Sequence, residues 1–147
     1  MRWFLGISLL VLAAATGCGC GCGCAKHSED LAGDRAAPVS TVSTVSVDQL
    51  DQLLAAHTSR AVDANTELTR RKMGVIPGAV LLRDFESIDN LPADKAQGLV
   101  FYCANTWCEA SHQAAAKAIV AGYTRVQVLP DGIAGWVKAG KPITSIQ

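Results

Sequence analysis

The chain has 147 residues, with thirteen basic and thirteen acidic side chains and a formal net charge of zero. That length accommodates one ordinary domain of about 100 residues plus an amino-terminal appendage, and excludes a second domain of ordinary size. Charges of both signs are spread without long single-sign runs, which excludes the electrostatic footprint of a nucleic-acid binder.

An apolar run from Trp3 to Ala15 follows Arg2. A bilayer-spanning helix needs about 20 such residues, so the run fits an export signal and not a span. It closes on the small residues Ala15, Thr16 and Gly17, directly before Cys18. This arrangement resembles the lipobox of bacterial lipoproteins, with Ala15 where that family more often has Leu. The resemblance implies that residues 1–17 are a signal peptide and that Cys18 becomes a lipid-modified amino terminus. Each buried methylene contributes about 0.8 kcal/mol, so two or three acyl chains hold a protein durably where one is marginal. The expected location is the cell envelope, on a membrane through the lipid anchor and facing the periplasm or the exterior.

Gly17 to Cys24 alternates Gly and Cys. Four thiolates on a flexible backbone suggest a soft-metal site, but no histidine or carboxylate pattern completes a coordination shell, and the segment reads as a spacer with no metal assigned. The stretch that follows is rich in Ser, Thr, Ala, Gly and Asp and cannot bury enough apolar surface to offset backbone ordering at about 1 to 2 kcal/mol per residue. Residues 18–45 are therefore expected to form a tether, and 46–147 the folded domain.

Leu50, Leu53 and Leu54 stand at helical spacing and predict an amphipathic helix over Val47 to Ala56, with Ser46 or Asp48 as its cap. Ala61 to Ala64, Ala79 to Leu82, Leu99 to Tyr102 and Val126 to Leu129 are short apolar runs separated by helical or turn segments, the pattern of buried parallel strands. Together they predict an α/β sheet covered on both faces. Gly74, Pro77-Gly78 and Gly122 punctuate the pattern where turns are required. Ala110 to Ala121 is Ala-rich and predicts a helix whose small side chains let it approach the sheet closely.

The strand ending at Tyr102 delivers Cys103 to its carboxyl end, where sites form in open α/β sheets. Loop amides of Ala104, Asn105, Thr106, Trp107 and Glu109, with the first turn of the following helix, can form a nest for an anion on sulfur. A free thiol has a pKa of about 8.5, and a helix terminus supplies about 0.3 to 2 kcal/mol toward ionising it. Glu109 sits on the same terminus and opposes part of this effect. His112 lies in the first helical turn and reads as a packed or solvent-facing residue. Trp107 either lines the mouth of a pocket or covers the loop from outside. Trp136 reads as a core anchor, and Asp63 as a group that orients backbone amides.

The segments FYCANTWCEASHQAAAKAIVAGY, AVDANTE, GVIPGAV and LPDGIAGW resemble, in order, the successive signatures of the rhodanese family. The resemblance implies a central, mostly parallel sheet of about five short strands with helices on both faces. It further implies a sulfurtransferase in which Cys103 takes a sulfane sulfur from a small donor, holds it as a persulfide against the loop amides, and passes it to a thiol acceptor. No cofactor is implied, and a monomer is expected. The chain departs from the family at several positions: Cys108 stands where many active members carry Arg, and Asp-Xaa-Arg reads Asp63-Ala64-Asn65. The His before Ile-Pro-Gly reads Val75, and the first Gly of a Gly-Gly pair reads Asp131. Arg83 and Arg125 are the candidates for a replacement cation.

Cys108 reads either as a packing side chain or as a resolving thiol that attacks a Cys103 persulfide, expels sulfide and leaves a disulfide needing an external reductant. Three functions therefore compete: a sulfurtransferase using Cys103, a thiol-disulfide redox protein using Cys103 and Cys108, and a non-catalytic module that binds a partner. Phosphoryl chemistry on such a loop would want a longer cradle and an Arg to clamp the oxyanion.

Overall fold

The computed structural model describes residues 42–146; the export signal, Cys18, the Gly/Cys repeat and nearly all of the expected tether lie outside the described residues. In chain order the elements are β1 (Ser43–Thr44), α1 (Val47–Ala55), β2 (Ser59–Asp63), α2 (Glu67–Met73), β3 (Val80–Leu81), β4 (Gly98–Tyr102), α3 (Ala110–Val120), β5 (Val126–Leu129) and α4 (Gly132–Lys138). The strands form one five-stranded sheet in the order β1-β5-β4-β2-β3, with each pair parallel. The expected parallel α/β architecture is the one observed.

One boundary differs. Within the expected tether of residues 18–45, Ser43 and Thr44 pair with Gln127 and Val128 of β5, and Val45 N–H donates to the Val128 carbonyl at 2.9 Å. An exposed two-residue edge strand carries no apolar alternation, so its backbone pairing leaves no trace in the side-chain pattern. Of the two caps available to α1, Ser46 is used. Its Oγ accepts the Gln49 N–H at 3.2 Å, and Gln49 Oε1 accepts the Ser46 N–H at 2.8 Å, a reciprocal capping box.

β4 lies at the centre of the sheet with all five residues buried. Successive side chains point to opposite faces. Leu99 and Phe101 join Ala114, Ala115 and Ala118 of α3, whose methyl side chains let the helix settle close to the sheet. Val100 and Tyr102 join Leu50, Ile76, Leu129, Ile133 and Trp136 on the other side, under α1 and α4. Trp136 is a core anchor, its Nε1–H donating to the Pro142 carbonyl at 2.8 Å. The chain runs outward from β2 to β3 and, on re-entering at β4, outward the other way to β5. The carboxyl ends of β2 and β4 thus flank a topological switch point, where open sheets leave a crevice.

A buried ion pair ties the β2 end to the end of β3. Asp63 is fully buried, and its Oδ1 accepts from Arg70 Nε at 3.2 Å and from the Asn65 N–H at 2.7 Å. Arg70 Nη2 also donates to the carbonyls of Asp63 (3.0 Å) and Leu82 (2.7 Å). Removing one partner of a buried, hydrogen-bonded pair leaves the other charge uncompensated and costs about 3 to 5 kcal/mol. Arg70→Ala is therefore expected to lower the unfolding free energy by an amount in that range, measured by urea denaturation. A loss within the noise would show that the pair carries no stability.

Candidate active site

The chain leaves β4 at Tyr102, and the next two carbonyls are caught by α4: Ile133 N–H donates to the Cys103 carbonyl at 2.8 Å and Ala134 N–H to that of Ala104 at 3.0 Å. This close approach requires a residue without a side chain at Gly132. Its φ is +59°, and a Cβ there would lie 2.8 Å from the Asn105 nitrogen. Asp131, by contrast, has φ −66°, which any residue adopts, so its departure from the Gly-Gly pattern costs the turn nothing.

Asn105 organises the loop. Its Oδ1 accepts the Trp107 N–H at 3.0 Å and its carbonyl accepts the Cys108 N–H at 3.1 Å, an Asx-type turn that spends both amides inside the loop. The Asn105, Thr106 and Glu109 side chains are exposed, and Ala104 is half-buried. Trp107 is 91% exposed, its indole turned to solvent. α3 then starts without a side-chain cap, since Glu109 makes no capping hydrogen bond. Its first-turn amides are left to other acceptors.

Both sulfurs lie at this terminus. Cys103 is 1% exposed, with its Sγ 2.8 Å from the Cys108 carbonyl, 3.2 Å from Ser111 Oγ and 4.0 Å from the Asn105 carbonyl. Two of these neighbours are pure acceptors, so the thiol keeps its proton and donates. Burial, followed by the adjoining Cys108 side chain, pushes Cys103 up to about 11, against the Ser111 hydroxyl and N–H, which favour the anion. Cys108 is only half-buried. Burial works to raise it too, but the Cys103 thiol and the N–H groups of Ala104 and Ala110 outweigh that and the charge of Glu109, and bring it below the ordinary thiol value. The expected nest therefore serves Cys108 through Ala104 and Ala110, while Ser111 serves Cys103.

Ser111 was not singled out from the sequence. The signal present in the chain is a hydroxyl residue in the first turn of the Ala-rich helix that follows the strand-end cysteine. Of the two candidate replacement cations, Arg125 lies at the wrong end of the sheet to serve the loop. The Arg125 carbonyl accepts the Leu99 N–H at 2.8 Å, which places this residue at the amino end of β4, across the sheet from Cys103. Arg83 lies past β3 in a cleft with Arg70, Ser87 and Asp89. His112 is half-buried on the first turn of α3. Val75, in place of the family's His, bridges through its backbone to Thr144: the Val75 N–H donates to the Thr144 carbonyl at 3.0 Å, and the Val75 carbonyl accepts the Thr144 N–H at 2.9 Å.

Residues 46–139 match the rhodanese-like domain family. The chain belongs to that family. No curated protein matches it. Among solved structures, a Rhodopseudomonas palustris protein of unknown function, described as a possible tyrosine phosphatase, is 24% identical. It has a TM-score of 0.59 over 71% of this chain and 86% of its own. The human single-domain sulfurtransferase TSTD1 is also 24% identical, with a TM-score of 0.55 over 65% of this chain and 95% of its own. SseA of Escherichia coli, described among 3-mercaptopyruvate sulfotransferases, is 20% identical, with a TM-score of 0.59 over 72% of this chain and 51% of its own. At these identities the likeness is one of fold.

The different surroundings of the two sulfurs set their reactivity. With Cys103 raised and Cys108 lowered, the thiolate fraction near neutral pH resides on Cys108, and that of Cys103 grows only as pH climbs toward about 11. Brief iodoacetamide treatment of the reduced protein at pH 7, read by peptide mass mapping, is expected to modify Cys108 more than roughly tenfold faster than Cys103. Equal rates would contradict this ordering.

Proposed function

We propose that the protein is a membrane-anchored, rhodanese-like sulfurtransferase. It moves sulfane sulfur from thiosulfate or a persulfide or polysulfide donor to a thiol acceptor, holding it on Cys103 as a persulfide. The observation that carries this reading is the position of Cys103 Sγ at the carboxyl end of the central strand, against the uncapped amino terminus of α3 and 3.2 Å from Ser111 Oγ. A persulfide extends the cysteine by one sulfur and puts the negative charge on the outer atom, where hydroxyl and amide donors stabilise it. The names carried by two structural neighbours, a sulfurtransferase and a sulfotransferase, support the same reaction class. Against the phosphatase description of a third, the loop from Ala104 to Glu109 holds no Arg to clamp an oxyanion and ends in a carboxylate. No cofactor is needed for the exchange, and the domain acts as a monomer.

A second reading, thiol-disulfide exchange, is favoured by one observation: the Cys103 thiol lies against Cys108, within reach of its carbonyl at 2.8 Å. The two readings separate on a single measurement. The reduced protein, incubated with thiosulfate or polysulfide and examined by intact and peptide mass spectrometry, is expected to gain the mass of one sulfur atom and to end with it on Cys103. A Cys103-Cys108 bridge with no added sulfur would favour redox work, and neither change would leave only a binding module.

The anchor is proposed from residues 1–18 alone, which lie outside the described residues. Cys18 carries the lipid, and the domain faces the periplasm or the exterior on the tether. Cys18→Ser is expected to move the protein from the membrane to the soluble fraction and to abolish incorporation of labelled palmitate. Retention of the label would place the acyl group elsewhere.

A further inference from the structure

The resting site presents its proposed carrier in an unreactive form. Cys103 is 1% exposed, and its Sγ is occupied as a donor to the Cys108 carbonyl at 2.8 Å. Ionised there, it would face the lone pairs of that oxygen and of the Asn105 carbonyl. Its neighbour is the converse case: Cys108 is partly exposed beside the solvent-facing Trp107, and the Ala104 and Ala110 N–H groups are directed at its sulfur. A soluble donor meets Cys108 first, and meets it as the better-stabilised anion.

We propose that Cys108 is the entry thiol of this site: it takes sulfane sulfur from the donor and relays it inward to Cys103. The inference rests on the sulfurtransferase reading and assigns the order of events within it. In the first step the Cys108 thiolate attacks the sulfane sulfur of thiosulfate. A new S–S bond forms, the donor S–S bond breaks, and sulfite leaves with the electron pair, giving Cys108–S–S⁻. In the second step the Cys103 sulfur attacks the outer sulfur of that persulfide. The bond from Cys108 Sγ to the outer sulfur breaks, and Cys108 leaves with the pair and takes the proton that Cys103 held. The products are Cys103–S–S⁻ and Cys108–SH, with no oxidant or reductant consumed. The Ser111 hydroxyl, 3.2 Å from Cys103 Sγ, is then free to donate to the buried persulfide.

The test uses the full-length chain in detergent, reduced and freed of reductant, in three forms: wild type, Cys103→Ser and Cys108→Ser. Each is exposed to thiosulfate, then separately to inorganic polysulfide, quenched by alkylation at intervals and mapped by peptide mass spectrometry. Circular dichroism establishes that the variants are folded. The relay requires that added sulfur appear on Cys108 before Cys103 in the wild type. It also requires that Cys103→Ser accumulate one sulfur on Cys108, and that Cys108→Ser load Cys103 at least roughly tenfold more slowly. Loading of Cys103 at an undiminished rate in Cys108→Ser overturns it. So does a Cys103→Ser protein that stays bare while the wild type loads, or a wild type that ends as a Cys103-Cys108 disulfide with sulfide released. If the wild type takes sulfur on neither residue, the sulfurtransferase reading itself fails, an outcome distinct from failure of the relay alone.

Discussion

The chemistry of this domain depends on how the carboxyl end of β4 is fixed. The strand is hydrogen-bonded on both edges and covered on both faces, so it has no freedom to shift without disrupting two cores at once. Immediately beyond it, α4 holds the carbonyls of Cys103 and Ala104 through the N–H groups of Ile133 and Ala134. That clamp fixes the cysteine backbone from outside the loop. The loop can then be short, exposed and polar while the sulfur at its root stays in place. Gly132 is the position the clamp cannot do without, because its positive φ and missing side chain let α4 come so close.

Around this fixed point two thiols five residues apart share one helix terminus, and their surroundings shift them in opposite directions, Cys103 up and Cys108 down. A helix amino terminus contributes about 0.3 to 2 kcal/mol to an anion, equivalent at most to about 1.5 pKa units. For Cys103 that is smaller than the cost of ionising a sulfur shielded from water and set against a carbonyl oxygen, so the proton stays. For Cys108, less deeply buried and approached by two amides and the Cys103 thiol, the balance reverses. Glu109 acts on Cys108 and limits the reversal. The contrast follows from a difference in surroundings across a single loop, with no cation in that loop.

The departures from the family pattern fall into two kinds. Asp131 and Val75 are absorbed by the backbone: Asp131 has an unstrained φ, and Val75 meets Thr144 through main-chain bonds that any residue except proline can make. Cys108 changes the chemistry, because a thiol now stands where a guanidinium would have offered a permanent positive charge. Asp63 retains a cationic partner through Arg70, one helix further along the chain, and that pair joins the ends of β2 and β3 beside the crevice.

The sequence by itself determined the parallel α/β class, the central strands, the helices α1 and α3, the family, and the strand-end position of Cys103. These follow from apolar runs, cap residues and local motifs, which act over a few neighbouring residues. The short helices α2 and α4 and the two-residue edge strand β1 were not assigned, because seven residues span barely two turns and an exposed edge is held by backbone bonds alone. The tertiary structure alone decided which sulfur is shielded and which is approached by amides, that Ser111 reaches Cys103, that Arg125 lies at the far end of the sheet, and that Arg70 is the partner of Asp63. Each of these depends on atoms brought together by packing between separate elements, and the direction of a side chain or an amide across such a contact is not encoded in the spacing along the chain.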